Sequence, residues 1–162
     1  MENKRNFKKQ LVINADDFGL DPAINAGIIE SFKKGVVTNT SMMPCGKAFE
    51  ESVEFARRHN GLGVGIHLAL NEETPVLPRD KISSLVSKRK DSFLAFPIFI
   101  KRFLSGRIAI NHVYSEFEAQ IERFVKTGLK PTHLDTHKHI HLIPRLLEVL
   151  LTLSRKFGIA RI

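Results

Sequence analysis

The chain has 162 residues, 43% hydrophobic and 26% charged, which suits one soluble globular domain with a core and not a disordered chain. Its net charge is +8, but the basic residues form no nucleic-acid recognition motif, and the longest apolar run, FLAFPIFI, falls far short of the roughly 20 residues that a membrane span needs. One cysteine, Cys45, cannot close an internal disulfide. The basic start MENKRNFKKQ lacks the apolar stretch of roughly 7–15 residues of a signal peptide, so a reducing, cytoplasmic location is expected.

LVIN (11–14) is the first short apolar run and reads as a buried strand. Asp21-Pro22 then supplies an N-cap and a proline at the first helical position. Ile24, Ile28 and Phe32 mark one face of that helix, which closes at Lys33-Lys34-Gly35. VVTNTSMM (36–43) reads as a second strand, and Phe49, Val53 and Ala56 mark a second helix ending near Gly61. LGVGIHLAL (62–70) is a third strand. An irregular insertion follows at about 71–110. Ser115 and Glu118 have the spacing of a capping box, and Phe117, Ile121, Phe124 and Val125 form the apolar face of the next helix. PTHLDTH (131–137) reads as a fourth strand, Pro144 opens a leucine-rich helix to about Phe157, and GIARI starts a fifth strand.

Strands alternating with helices predict an α/β fold with a parallel sheet, whose function gathers at the C-terminal ends of the strands. Polar residues fall there in three units: Asp16-Asp17 after the first strand, His67 late in the third, and a His/Asp cluster ending the fourth. Each has a plainer reading, as a turn, a satisfied core histidine or a solvated edge. Their placement at one end of the sheet favours a shared site.

His133, Asp135, His137, His139 and His141 occupy alternate positions. A strand rises about 3.3 Å per residue, so all five cannot reach one ion. His137 and His141 also have the spacing of one helical turn. The strand is therefore expected to end inside the cluster, with one or two side chains at the site. Histidine and carboxylate suit a divalent ion, Zn²⁺ foremost, with Mg²⁺, Mn²⁺, Co²⁺ or Ni²⁺ also compatible. GLGVG begins a strand instead of following one, so it is not a nucleotide loop.

The motifs NADDFGL, NAGIIESFKKGVVTNTSMM, VGIHLAL and THLDTHKHIHLIP, in that order and spacing, resemble the YdjC-like carbohydrate deacetylases, which include chitooligosaccharide deacetylases. The resemblance runs from about residue 11 onward. NEETPVLPRDKISSLV and the Phe-rich stretch after it look most like the branch associated with hopanoid biosynthesis. The resemblance implies an irregular (β/α) TIM-like barrel. Residues 1–162 would supply its N-terminal portion, about four βα units plus a strand. It implies a metal-dependent hydrolase that removes an N-acetyl group from an amino sugar, with an N-acetylglucosaminyl hopanoid lipid as the branch's substrate. A non-catalytic sugar- or lipid-binding fragment and a hydrolase for another acyl substrate are the alternatives.

By the same resemblance Asp17, His67 and His137 hold one divalent metal, magnesium or zinc foremost, and Asp16 is the general base. His141 rivals His137 as a ligand. Asp135, His139 and His141 are candidates for orienting a ligand or acting as the acid. LALNEETP departs from the family's more usual LNLTEGxP, which bears on sugar contacts. Basic residues flank the aromatic stretch at 88–107, which suits peripheral contact with an anionic inner-membrane face. The competing reading packs those phenylalanines inward as an inserted helix pair. A homo-oligomer is left open.

Overall fold

The computed structural model describes residues 11–87 and 91–162. The basic start at 1–10 and the basic residues at 88–90 lie outside the described residues. Four parallel strands form one sheet in the order β1 (Asn14–Phe18), β2 (Asn39–Met42), β3 (Gly63–Leu68), β4 (Leu134–Thr136). The helices are α1 (Pro22–Lys34), α2 (Phe49–Arg58), α3 (Phe96–Leu104), α4 (Ile110–Val125) and α5 (Pro144–Phe157). The α/β class and the parallel sheet are as the alternating pattern predicts.

Local chemistry explains the helix ends. The Asp21 carboxylate accepts from Ala23 N at 2.8 Å, and Pro22 occupies the position where a missing N–H costs nothing. Gly158, at φ 68°, closes α5 in the left-handed conformation. The capping-box expectation at Ser115 and Glu118 is wrong. The helix already begins at Ile110, so Ser115 lies inside it. The insertion is not wholly irregular either, since it contains α3 and an antiparallel bridge between Val86 and Phe93.

The strands differ from their predicted limits in an informative way. The apolar run at 11–14 is mostly not strand: Leu11 and Val12 are exposed, and β1 is NADDF itself. The fourth strand stops at Thr136, and His137–Leu142 forms a 3-10 segment kinked by left-handed Lys138 and His139. Residues 159–162 form no strand, although Leu134 N donates to Arg161 O at 3.0 Å, so the segment already lies beside β4.

The sheet has two unlike faces. Ala15, Met42, Val64, Ile66, Leu68 and Leu134 join the helices in one core. α4 adds Phe117, Ile121 and Phe124, all fully buried, at roughly 1.5–3 kcal/mol each. Asn14, Asp16, Asn39, Ser41, His67 and Asp135 alternate with those core positions and make the other face polar. In α3, Phe99 is buried while Phe96 and Phe103 pack against the core, so these rings turn inward.

Candidate metal centre

The adjacent acids are placed by a β-bulge. β1 advances from Ala15 to Phe18 while β2 advances only from Thr40 to Met42, so β1 carries one extra residue there. Asp17 absorbs it with φ 68°, a left-handed conformation that costs an L-residue about 1–2 kcal/mol and that Asp tolerates better than most. The extra residue cancels the strand alternation that would aim consecutive side chains apart. Both carboxylates therefore reach the region around His67: Asp17 groups with His67 and His137, and Asp16 with His67 and Asp135, the donor atoms of each group lying within 4.8 Å of one another.

His67 Nε2 lies 3.2 Å from Asp17 Oδ1, and His137 Nδ1 lies 2.9 Å from the same oxygen. Two ligand atoms each about 2.1 Å from a common ion stand about 3.0–3.4 Å apart, so this spacing suits a divalent cation. The two imidazoles hold the Asp17 carboxyl well below the usual carboxylate range, chiefly through the His137 and His67 hydrogen bonds. One carboxylate with two imidazoles is a donor set for zinc or a similar divalent ion.

His67 is 2% exposed at the C-terminal end of β3. Its Nδ1 faces Asp135 Oδ1 at 2.7 Å, on the paired position of β4. Burial alone would lower the pKa of His67, but Asp135 and Asp17 on either side push it up to about 9. Asp135 is lowered overall: burial raises it, and the contacts with His67 and Ser41 outweigh that. A carboxylate behind a histidine fixes the ring's orientation and tautomer, the arrangement found behind metal-ligating imidazoles.

The structure brings together Asp16, Asp17, His67, Asp135 and His137. His141 is in neither group: its Nδ1 lies 2.7 Å from Thr136 Oγ1, and burial lowers its pKa. His139 is exposed, with its ring centroid 6.0 Å from that of His141. The left-handed pair Lys138 and His139 kinks the chain just after His137. Lys138 ties the kink to the insertion through Glu72 at 2.7 Å.

Sequence reasoning missed several residues that hold the site. Asn25 of α1 is fully buried; its Oδ1 accepts from Gly19 N at 2.7 Å and its Nδ2 donates to Ala48 O at 3.2 Å. Gln120 of α4 clasps Ala69 through both its backbone groups. Glu116 accepts from Val76 N and Leu77 N. Gly65 also has a reason. A Cβ there would lie 2.3 Å from the His133 ring, which lies against β3 at that point. Asn14 and Ser41 were readable from their alternation with Asp16 and Asn39; the other contacts are long-range and have no local signature.

Comparison with known proteins shows the family. A carbohydrate deacetylase of Enterococcus faecalis is 40% identical over 153 residues, covering 92% of this chain and 56% of the relative. A mouse carbohydrate deacetylase is 39% identical, covering 93% and 48%, and a chitooligosaccharide deacetylase of Salmonella paratyphi B is 32% identical, covering 95% and 59%. A crystal structure from E. faecalis V583, provisionally described as a cellobiose-phosphate cleavage protein, superposes with a TM-score of 0.82 at 41% identity, covering 91% of this chain and 56% of that one. The chain thus spans about half the length of the relatives it matches. The YdjC-like protein family model matches residues 10–162, and the chain belongs to that family.

Proposed function

We propose that this chain is part of a metal-dependent carbohydrate deacetylase that hydrolyses the N-acetyl amide of an amino sugar, releasing acetate and a free amine. The observation that carries the reading is the convergence of His67 Nε2 and His137 Nδ1 on Asp17 Oδ1, with the Asp16 carboxylate grouped with His67 and Asp135. The sheet described above then forms the first part of a (β/α) barrel. Relatives named as carbohydrate and chitooligosaccharide deacetylases support the substrate class.

Asp17, His67 and His137 are the residues that would hold the ion, magnesium or zinc. When bound, a divalent ion supplies Lewis acidity toward the acetyl carbonyl and toward water. Asp16 accepts the proton of the attacking water as general base. Asn14 Nδ2 donates to Asp16 Oδ1 at 2.7 Å and so fixes the direction of that carboxylate. Asp135 holds the His67 ring. His139 and His141 are the candidates for protonating the departing amine. The test is amine release from N-acetylglucosamine oligosaccharides with and without added metal. Asp16→Asn is expected to abolish turnover and to bind metal like the parent; near-normal turnover would refute the base assignment.

A glycolipid substrate, such as an N-acetylglucosaminyl hopanoid, is the finer reading. Ile98 and Leu104 are 49% and 79% exposed on α3, on the same helix as Lys101. The helix starts where Lys138 lies over the Phe96 ring, next to His137. Apolar groups flanked by cations suit an anionic bilayer surface. Co-sedimentation with phosphatidylglycerol vesicles at low salt is expected, and to be lost in a double variant Ile98→Ser, Leu104→Ser; absence of binding by the parent removes this reading.

A further inference from the structure

The Ser41 hydroxyl on the polar face has three side-chain partners. Its Oγ lies 2.7 Å from Asp135 Oδ2, 2.8 Å from Asn14 Nδ2 and 2.9 Å from His133 Nε2. A hydroxyl has one proton and two lone pairs. The Asp135 carboxylate offers only acceptors and the Asn14 amide nitrogen only donors, so the directions are forced. Ser41 donates to Asp135, accepts from Asn14, and has one lone pair left for His133. His133 must then carry its proton on Nε2, leaving Nδ1 to accept from Thr132 Oγ1 at 2.8 Å. Burial keeps His133 below its ordinary pKa, consistent with a neutral ring of this tautomer.

These directions join groups on all four strands. Asn14 on β1 uses its amide nitrogen twice, toward Asp16 Oδ1 and toward Ser41 on β2. Ser41 occupies Oδ2 of Asp135 on β4, and Oδ1 of the same carboxylate faces Nδ1 of His67 on β3. With both oxygens engaged the carboxylate plane cannot rotate, so the His67 ring keeps Nε2 aimed at Asp17. The contact between β2 and β4 depends on Gly65. Strands two apart are separated by roughly 9.5 Å, and a side chain from the strand between them would fill the gap. Ser41 pairs with Gly65, which has no side chain to place there.

We propose that Ser41 is a positioning residue for this site, coupling the base Asp16 to the metal ligand His67 through Asn14 on one side and Asp135 on the other. The proposal rests on the deacetylase reading for the roles of Asp16 and His67. Its geometry stands without that reading. A serine present only to fill a buried polar position would need one partner. Here three converge, and one of them is the carboxylate behind His67.

The test compares Ser41→Ala, Asp135→Asn and the double variant in the full chain by two measurements. The first is made without metal: proton NMR of the His67 Nδ1–H, identified by its loss in Asp135→Asn. Ser41→Ala is expected to speed exchange of that proton with water by roughly tenfold, since a freed carboxylate no longer holds it. The second is calorimetric titration with Zn²⁺. Ser41→Ala is expected to weaken binding roughly three- to tenfold, below the roughly 10–100-fold typical of losing the orienting carboxylate itself. The double variant is expected to bind no more weakly than Asp135→Asn alone. Ser41→Cys, which keeps a weaker donor, is expected to fall between parent and Ser41→Ala, and it carries the comparison if the alanine variant does not fold. Parent-like exchange in Ser41→Ala, or additive losses in the double variant, would overturn the proposal. Failure of the parent chain to bind Zn²⁺ would count against the metal reading, and the exchange measurement would still decide the role of Ser41.

Discussion

Asn25 offers a sharp test of how the first strand is anchored. It sits on α1, fully buried, and bridges Gly19 N and Ala48 O. Asn25→Ala removes two hydrogen bonds and strands the Gly19 N–H, while the Ala48 carbonyl keeps Ser52 N at 3.2 Å. A net hydrogen bond is worth about 1 kcal/mol, and each group stranded in the interior costs about 1–3 kcal/mol. Partial collapse of the site offsets some of this, so the expected loss is about 2–4 kcal/mol. For a chain of this size that lowers Tm by about 5–15 °C. Urea unfolding followed by circular dichroism measures it. Asn25→Asp keeps the acceptor for Gly19 but loses the donor to Ala48, and should also be destabilised. Gly19 follows Asp17 by two residues, so Zn²⁺ affinity should fall as well. A loss below about 0.5 kcal/mol in Asn25→Ala would mean that the Gly19 N–H finds another partner, and the anchoring argument would fail.

Glu116 sets a pH dependence. Burial raises its pKa above the ordinary value of 4.5, only partly countered by Gln120, Val76 and Leu77. The folded state therefore binds this proton more tightly than the unfolded one, so stability falls as pH rises from about 4.5 through the folded pKa. Glu116→Gln removes that dependence: its stability deficit against the parent should shrink from pH 4 to pH 8, as followed by denaturant titration, whereas a widening deficit would reverse the sign. Gly65→Ala would place a Cβ 2.3 Å from the His133 ring. Overpacking of this kind costs about 1–3 kcal/mol, and most of it should vanish when His133→Ala is made in the same chain; an equal cost in both backgrounds would place the clash elsewhere.

The helices were the most legible part of the fold, because their signals are local. Asp21-Pro22 and Pro144 mark real starts, and Gly158 caps α5. The strands were harder because apolar content was taken as their signature. β1 is built of polar residues on one face, and the apolar LVI before it lies mostly outside the sheet. The misplaced capping box shows the limit of a short pattern: Ser115 and Glu118 have the right spacing, but Ile110 onward already packs as helix. At the site, the residue types and their common end of the sheet were readable. The bulge at Asp17 and the kink after His137 were not, because both depend on backbone conformations that residue identity only permits. Asn25 and Gln120 act across 23 and 51 residues of sequence, respectively, and no local pattern announces them.

The polar face also answers why two acids can stand side by side here. Repulsion between Asp16 and Asp17 would be costly if both looked into one empty space. The bulge brings both to the His67 region but gives them different partners: Asp17 meets the two imidazoles, whereas Asp16 is held by the Asn14 amide. Positive charge or a cation among Asp17, His67 and His137 offsets one carboxylate, and the amide donor stabilises the other without neutralising it. The contacts with both His67 and His137 are made by Asp17, the residue in the left-handed conformation. The tandem acids therefore differ in position and in partners because the backbone carries one extra residue there.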